Sequence, residues 1–207
     1  MCGIVGYFTK NTGADDDLIF NKLIKESRIR GIHSFGYSYI REGRITMQKF
    51  HDVEFKSIRM PVGADAIIYH NRYSTSGDFI DHRNNQPIHI QDTSLVFNGV
   101  IDMGTKQEMQ ERWGITMETE NDGEIVLRKS GFNPAEMVEF IKEHGSFSGL
   151  VLQGSSLYAF TNGLRPLWYW ELGESVFFAS TKDIFTRALP NAAPKQLKVN
   201  TLHVWKN

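Results

Sequence analysis

The only cysteine of this chain stands second, directly after Met1 and directly before Gly3-Ile4-Val5-Gly6-Tyr7-Phe8. The run that follows it is β-branched and aromatic, so residues 2–9 read as a strand, with Asn11-Thr12-Gly13 as the turn that closes it. A terminus of this composition is tied into a sheet rather than left frayed. Because Cys is small, Met1 is expected to be removed, which would put a thiol and a free α-amine on one residue. An N-terminal amine can activate a nucleophilic side chain. A lone Cys is usually a small buried apolar residue, and a catalytic reading needs partners from further along the chain.

Composition narrows the classes. At 207 residues the chain is expected to form one domain over 1–207. Lys plus Arg is 23 against 24 for Asp plus Glu, so no overall basic field exists to hold nucleic acid. One cysteine allows neither an internal disulfide framework nor a Cys-rich zinc site, which fits a reducing cytoplasm. His33 and His51 lack further ligands at metal-binding spacing, and no metal or cofactor is expected. There is no basic and apolar leader, and no apolar run approaches the roughly 18 residues of a membrane span.

Asp15-Asp16-Asp17 precedes a helical face of Leu18, Ile19, Leu23 and Ile24 and reads as a solvated, dipole-favoured helix start, with the helix running to about Arg28. After the glycine-bracketed loop Arg30 to Gly36, residues 37–40 and 44–50 read as strands joined by a Glu42-Gly43 turn. Residues 64–70 form a buried strand that delivers the chain into Asn71-Arg72-Tyr73-Ser74-Thr75-Ser76-Gly77. The aperiodic stretch Asp78 to Asn85 follows, a place where binding groups often sit. Residues 94–97 read as another strand, and Asn98-Gly99 by itself is a strong hairpin signal. Residues 105–113 look helical. A second helix starts at Asn133-Pro134, with Glu136 at capping-box spacing, and ends near His144-Gly145. The remainder alternates strands (147–152, 157–161, 167–170, 175–179, 197–205) with one helix near 182–189.

In this order, Cys2-Gly3-Ile4-Val5-Gly6, His70 to Gly77, Gln86-Pro87, Asn98-Gly99, Asp122-Gly123-Glu124 and Arg165-Pro166-Leu167 closely resemble the class II glutamine amidotransferase domain. This is the N-terminal-cysteine branch of the Ntn hydrolases, and the wording Arg-Tyr-Ser-Thr is most similar to the glutaminase domain of amidophosphoribosyltransferases. The resemblance implies an α+β fold, a four-layer αββα sandwich of two mainly antiparallel sheets. It implies Cys2 as nucleophile toward the side-chain amide of glutamine. The α-amine of Cys2 would be the base, and Asn98 and the Gly99 N–H the oxyanion donors. Arg72 and Asp122 would hold the α-carboxylate and α-ammonium of glutamine, with Tyr73, Thr75 and Ser76 lining the pocket.

Three positions depart from the family wording. His33 stands where Arg-Gly-x-Asp would place Asp, Phe97 where His usually precedes Asn-Gly, and Ser76 where some members have His. The well-known members fuse this domain to a synthetase, isomerase or phosphoribosyltransferase, and no phosphate-binding loop or second domain is seen here. The expectation is a stand-alone subunit that hydrolyses glutamine and passes ammonia to a separate synthetase or transferase. Two alternatives stay open: an N-terminal-cysteine hydrolase of another γ-glutamyl amide, and a catalytically silent binding subunit.

Overall fold

The apolar run after Cys2 becomes strand β1, Gly3–Thr9, buried along its whole length. The computed structural model describes residues 2–52, 59–74 and 77–206. β1 is held on both edges, by β4 (Ala66–Arg72) on one side and β10 (Ser175–Ala179) on the other, each antiparallel to it. Beyond β4 lie β2 (Ser34–Arg41) and β3 (Arg44–His51). Beyond β10 lie β9 (Trp168–Leu172) and the short β11 (Lys195–Gln196). Among the described residues these make a seven-stranded sheet. A five-stranded sheet is built from β5 (Ile88–Ile90), β6 (Thr93–Val100), β7 (Ser146–Gln153), β8 (Ser156–Thr161) and β12 (His203–Lys206), in the order β12-β8-β7-β6-β5.

Side chains along a strand alternate between faces, and β1 uses both. Ile4 and Phe8 join Ile68, Val96, Leu150 and Leu157 between the two sheets. Val5 and Tyr7 face the other way, onto Phe20 and Leu23 of helix α1 (Asp16–Ser27) and Phe185 of α5 (Lys182–Ala188). The outer face of the second sheet, with Leu95, Phe97, Phe147 and Val151, is covered by α3 (Gly123–Lys129) and α4 (Pro134–Glu143). The layers therefore run helix, sheet, sheet, helix, the α+β sandwich of antiparallel sheets that the resemblance implied. A further helix, α2 (Lys106–Trp113), is closed by a Thr105–Glu108 capping box.

Several local expectations change. Asn98-Gly99 is not a hairpin turn: β6 runs through both residues to Val100, still in register with Ser146 on β7, and the chain returns only after the excursion that carries α2, α3 and α4. Residues 123–129 form a helix where the sequence reading assigns no element. In the last stretch only 203–206 pair as a strand of the second sheet. Asn133 caps α4 through the Ala135 N–H at 2.9 Å instead of the Glu136 N–H. Asp16, expected in solvent, is 2% exposed. Its Oδ2 accepts from the Tyr7 hydroxyl at 2.7 Å, the Gly13 N–H at 2.8 Å and the Ser175 hydroxyl at 2.6 Å, joining α1 to β1 and β10.

Asp16→Ala leaves those donors without their shared acceptor, and each buried donor so orphaned costs about 1–3 kcal/mol. A clear drop in the urea midpoint is expected, while the exposed neighbour Asp15→Ala should shift stability by no more than about 0.5 kcal/mol. Equal midpoints for the two variants would show that the buried carboxylate does not bind these elements together.

Candidate functional site

The register of the central strands brings the site together. Gly3 pairs with Asn71, and the pairing carried one residue further sets Cys2 opposite Arg72 at the last residue of β4. Cys2 is half-buried, and the main chain is held at Cys2 and again at Ile4. Arg30 Nε donates to the Cys2 carbonyl at 2.9 Å, and the Ile4 N–H donates to Ser180 Oγ at 2.6 Å. The thiol donates to the Tyr73 carbonyl at 3.7 Å. Burial pushes the Cys2 thiol up, and the Arg72 guanidinium pulls against that rise by favouring the thiolate.

Arg72 is itself 3% exposed. It donates to Asn85 Oδ1 at 2.6 Å and to the Gly77 carbonyl at 3.2 Å, and Asn85 Nδ2 donates to the Phe79 carbonyl at 2.8 Å. The aperiodic loop seen in the sequence thus folds back as the bracket that holds the guanidinium. The charge of Arg72 interacts with Cys2 and Asp122. Beneath it on the same strand face, His70 is wholly buried and pushed down to about 3 by that burial, so it stays neutral.

Asp122 occupies the position before α3 where a side chain would cap the helix, yet it makes no cap. Its Oδ2 instead accepts from the N–H groups of Ile101 at 2.7 Å and Asp102 at 3.2 Å, just past the end of β6. The nearby Glu124 carboxylate, fully buried, binds the Glu118 and Thr119 N–H groups and Arg128 Nε at 2.5 Å. Asn121 Nδ2 donates to the Asn84 carbonyl and the Glu120 N–H to Asn84 Oδ1, each at 2.9 Å, so the loop bearing Asp122 is stitched to the loop that brackets Arg72.

Asn98 is 2% exposed. It lies on the face of β6 that Val96 presents between the sheets. Gly99 follows, where a side chain would run into the Ser146 carbonyl. Phe97 points the opposite way. Its ring stacks on Phe147 with centroids 5.0 Å apart and fills the space a Cβ on Gly123 would need. The departure at Phe97 is therefore accommodated in the outer core, under the start of the helix that carries Asp122.

The structure brings Cys2, Arg72 and Tyr73 together at the end of β4, with Asp122 interacting through its charge with Cys2 and Arg72 and Asn98 and Gly99 on the facing sheet. Tyr73 contributes its carbonyl, while the residue as a whole is 48% exposed. Thr75 and Ser76 lie outside the described residues. Sequence reasoning missed Arg30 on the Cys2 carbonyl, Asn85 on the Arg72 guanidinium and Ser180 on the Ile4 N–H. Only the glycine-bracketed wording of Arg30-Gly31 and the aperiodic 78–85 stretch hinted at them. Among the described residues there is no cluster of His, Cys, Asp and Glu that could hold a metal ion. None of their helices is long and apolar enough to cross a membrane.

Residues 70–187, more than half of the chain, match the family described as the glutamine amidotransferase domain. The chain belongs to that family. It is accordingly an enzyme of the glutamine amidotransferase type. No curated protein is similar enough in sequence to match. Among solved structures, the fold is similar to that of glutamine phosphoribosylpyrophosphate amidotransferase from B. subtilis, at TM-score 0.73 and 17% identity over 99% of this chain and 49% of the other. It is similar also to an allosteric regulatory enzyme of purine biosynthesis, at TM-score 0.72 and 17% identity with the same coverage. The chain thus spans about half the length of these two proteins. A glutamine aminotransferase class-II domain protein from Silicibacter pomeroyi is similar at TM-score 0.53 and 10% identity, over 99% of both chains.

Burial pushes the Asp122 carboxyl above the ordinary carboxylate range, against the pull of the Ile101 and Asp102 N–H groups. A carboxyl whose pKa is higher folded than unfolded is neutral in both states in acid. It penalises the folded state as pH rises past its unfolded value. Asp122→Asn, which keeps an acceptor for both N–H groups, should match the parent in acid and become the more stable protein toward pH 7. Urea midpoints across that range check it, and a parent that is more stable at pH 7 would contradict the sign.

Proposed function

We propose that this enzyme hydrolyses glutamine to glutamate and ammonia through a thioester on Cys2, and that it donates the ammonia to a separate synthetase or transferase. The observation that carries the reading is the placement of Cys2 opposite a buried, bracketed Arg72 with Asp122 within its field. Arg72 would take the α-carboxylate of glutamine with its planar fork and Asp122 the α-ammonium, leaving the side-chain amide at the thiol.

With Met1 removed, the α-amine of Cys2 takes the thiol proton as sulfur attacks the amide carbon. Asn98 Nδ2 and the Gly99 N–H receive the charge that develops on oxygen, a role worth roughly 100-fold to 1,000-fold in rate for one donor. The C–N bond then breaks, the proton passes from the α-ammonium to the departing nitrogen, and ammonia leaves. Water attacks the thioester, with the α-amine as base again, and glutamate and the thiol are released. Tyr73, Thr75 and Ser76 are assigned to the pocket wall.

We assign residues 1–207 to one glutaminase unit acting in the cytoplasm. Support comes from a solved chain of matching extent, similar end to end, and from the lone cysteine.

Glutamate release from glutamine tests the assignment directly. Cys2→Ser should abolish it, and Arg72→Lys, which loses the two-pronged contact, should raise KM about tenfold or more. A panel of γ-glutamyl amides run beside glutamine decides the substrate. Release from another amide with no turnover of glutamine would replace this reading by a γ-glutamyl amidohydrolase, and turnover retained by Cys2→Ser would remove the nucleophile.

A further inference from the structure

His33 departs from the family wording, and its contacts give it a specific task. Its main chain runs beside the end of β4: the His33 N–H donates to the Arg72 carbonyl at 3.0 Å, and its carbonyl accepts from the Asp52 N–H at 3.3 Å. Its ring turns onto the next residues. Nδ1 accepts from the Ser74 N–H at 2.9 Å, which puts the ring proton on Nε2. The ring lies between Tyr73, centroids 5.0 Å apart and planes 26° apart, and Phe79, at 4.9 Å and 21°.

One peptide unit links these contacts to the thiol. The Tyr73 carbonyl, which accepts from Cys2 Sγ, and the Ser74 N–H, which donates to His33 Nδ1, belong to the same planar group and leave its opposite edges. Turning that plane to break one contact turns the other. A carbonyl free to rotate would leave the Cys2 side chain without its partner at the end of β4. The imidazole, wedged by two aromatic rings, cannot follow such a rotation.

We propose that His33 is a positioning residue for the nucleophile. By accepting the Ser74 N–H it sets the Tyr73–Ser74 peptide plane, and through the Tyr73 carbonyl it sets the direction in which the Cys2 thiol points. The inference rests on Cys2 being the nucleophile. It assigns to His33 no proton transfer and no contact with substrate.

Two substitutions separate the acceptor from the ring. His33→Phe keeps the stacked ring and loses the acceptor. His33→Asn places an oxygen where Nδ1 stands and loses much of the stacking. Misplacement of a reacting group by about 1 Å can cost as much as about 100-fold, so His33→Phe should lower kcat about tenfold to a hundredfold with KM for glutamine little changed. It should slow alkylation of Cys2 by a glutamine-analogue diazoketone in parallel. His33→Asn should recover most of that loss although its thermal stability falls.

Rates in His33→Phe equal to the parent, or rates in both variants that simply follow their melting temperatures, would overturn the proposal. In the unsubstituted protein, a scalar coupling across the hydrogen bond between the Ser74 amide and His33 Nδ1 supports it, and absence of that coupling overturns it without any variant. If instead the parent is not alkylated at Cys2 at all, the catalytic reading of Cys2 has failed, a result distinct from any His33 outcome.

Discussion

The pairing of β1 with β4 is the constraint on which the site depends. The ladder from Gly3–Asn71 to Phe8–Ala66 runs through the middle of the larger sheet, with both strands buried throughout. A shift by one residue would turn Ile4 and Phe8 out of the inter-sheet core and place Val5 and Tyr7 there instead. The hydrophobic pattern therefore locks the register. The same lock sets Cys2 opposite Arg72, so the energetics of the core and the geometry at Cys2 are one arrangement. Arg30 then secures the Cys2 carbonyl just past the ladder, and Ser180 holds the Ile4 N–H within it.

Charge is handled by burial with named partners. Arg72 and Asp122 sit almost wholly out of water, each held by neutral groups: Asn85 and the Gly77 carbonyl for the cation, two backbone N–H groups for the anion. Buried charges held at a distance by dipoles remain able to interact with an arriving zwitterion, and they are strong in a region of low dielectric. Burial also raises the Asp122 carboxyl, an intrinsic cost that a bound ammonium would offset. The Asn84 and Asn121 contacts make the two loops one unit, so the separation of these two charges is a property of the fold.

Much of this was legible in the residues. The β-branched run after Cys2, the paired strands around Glu42-Gly43, the Asn133-Pro134 helix start and the order of Cys2, Arg72, Asn98 and Asp122 all point to the observed sandwich and its site. What was not legible depended on tertiary partners. Asn98-Gly99 carries a turn signal that the β7 ladder overrides. Asp16 looks like a solvated helix start until Tyr7 and Ser175 arrive from distant strands. Residues 123–129 are helical because Ile125, Val126 and Leu127 pack inward, on Met109 and on the outer sheet face. Asn85 accepts from the Arg72 guanidinium and His33 from the Ser74 N–H, partners in other segments that no sequence pattern marks.

Catalysis at Cys2 requires both a free α-amine and a thiol that meets the substrate, and one measurement reads both. The intact mass of the purified protein, before and after exposure to a diazoketone analogue of glutamine, should show loss of Met1 and then a single adduct that peptide mapping places on Cys2. Retained Met1 with no adduct would contradict the assignment of Cys2 as the nucleophile.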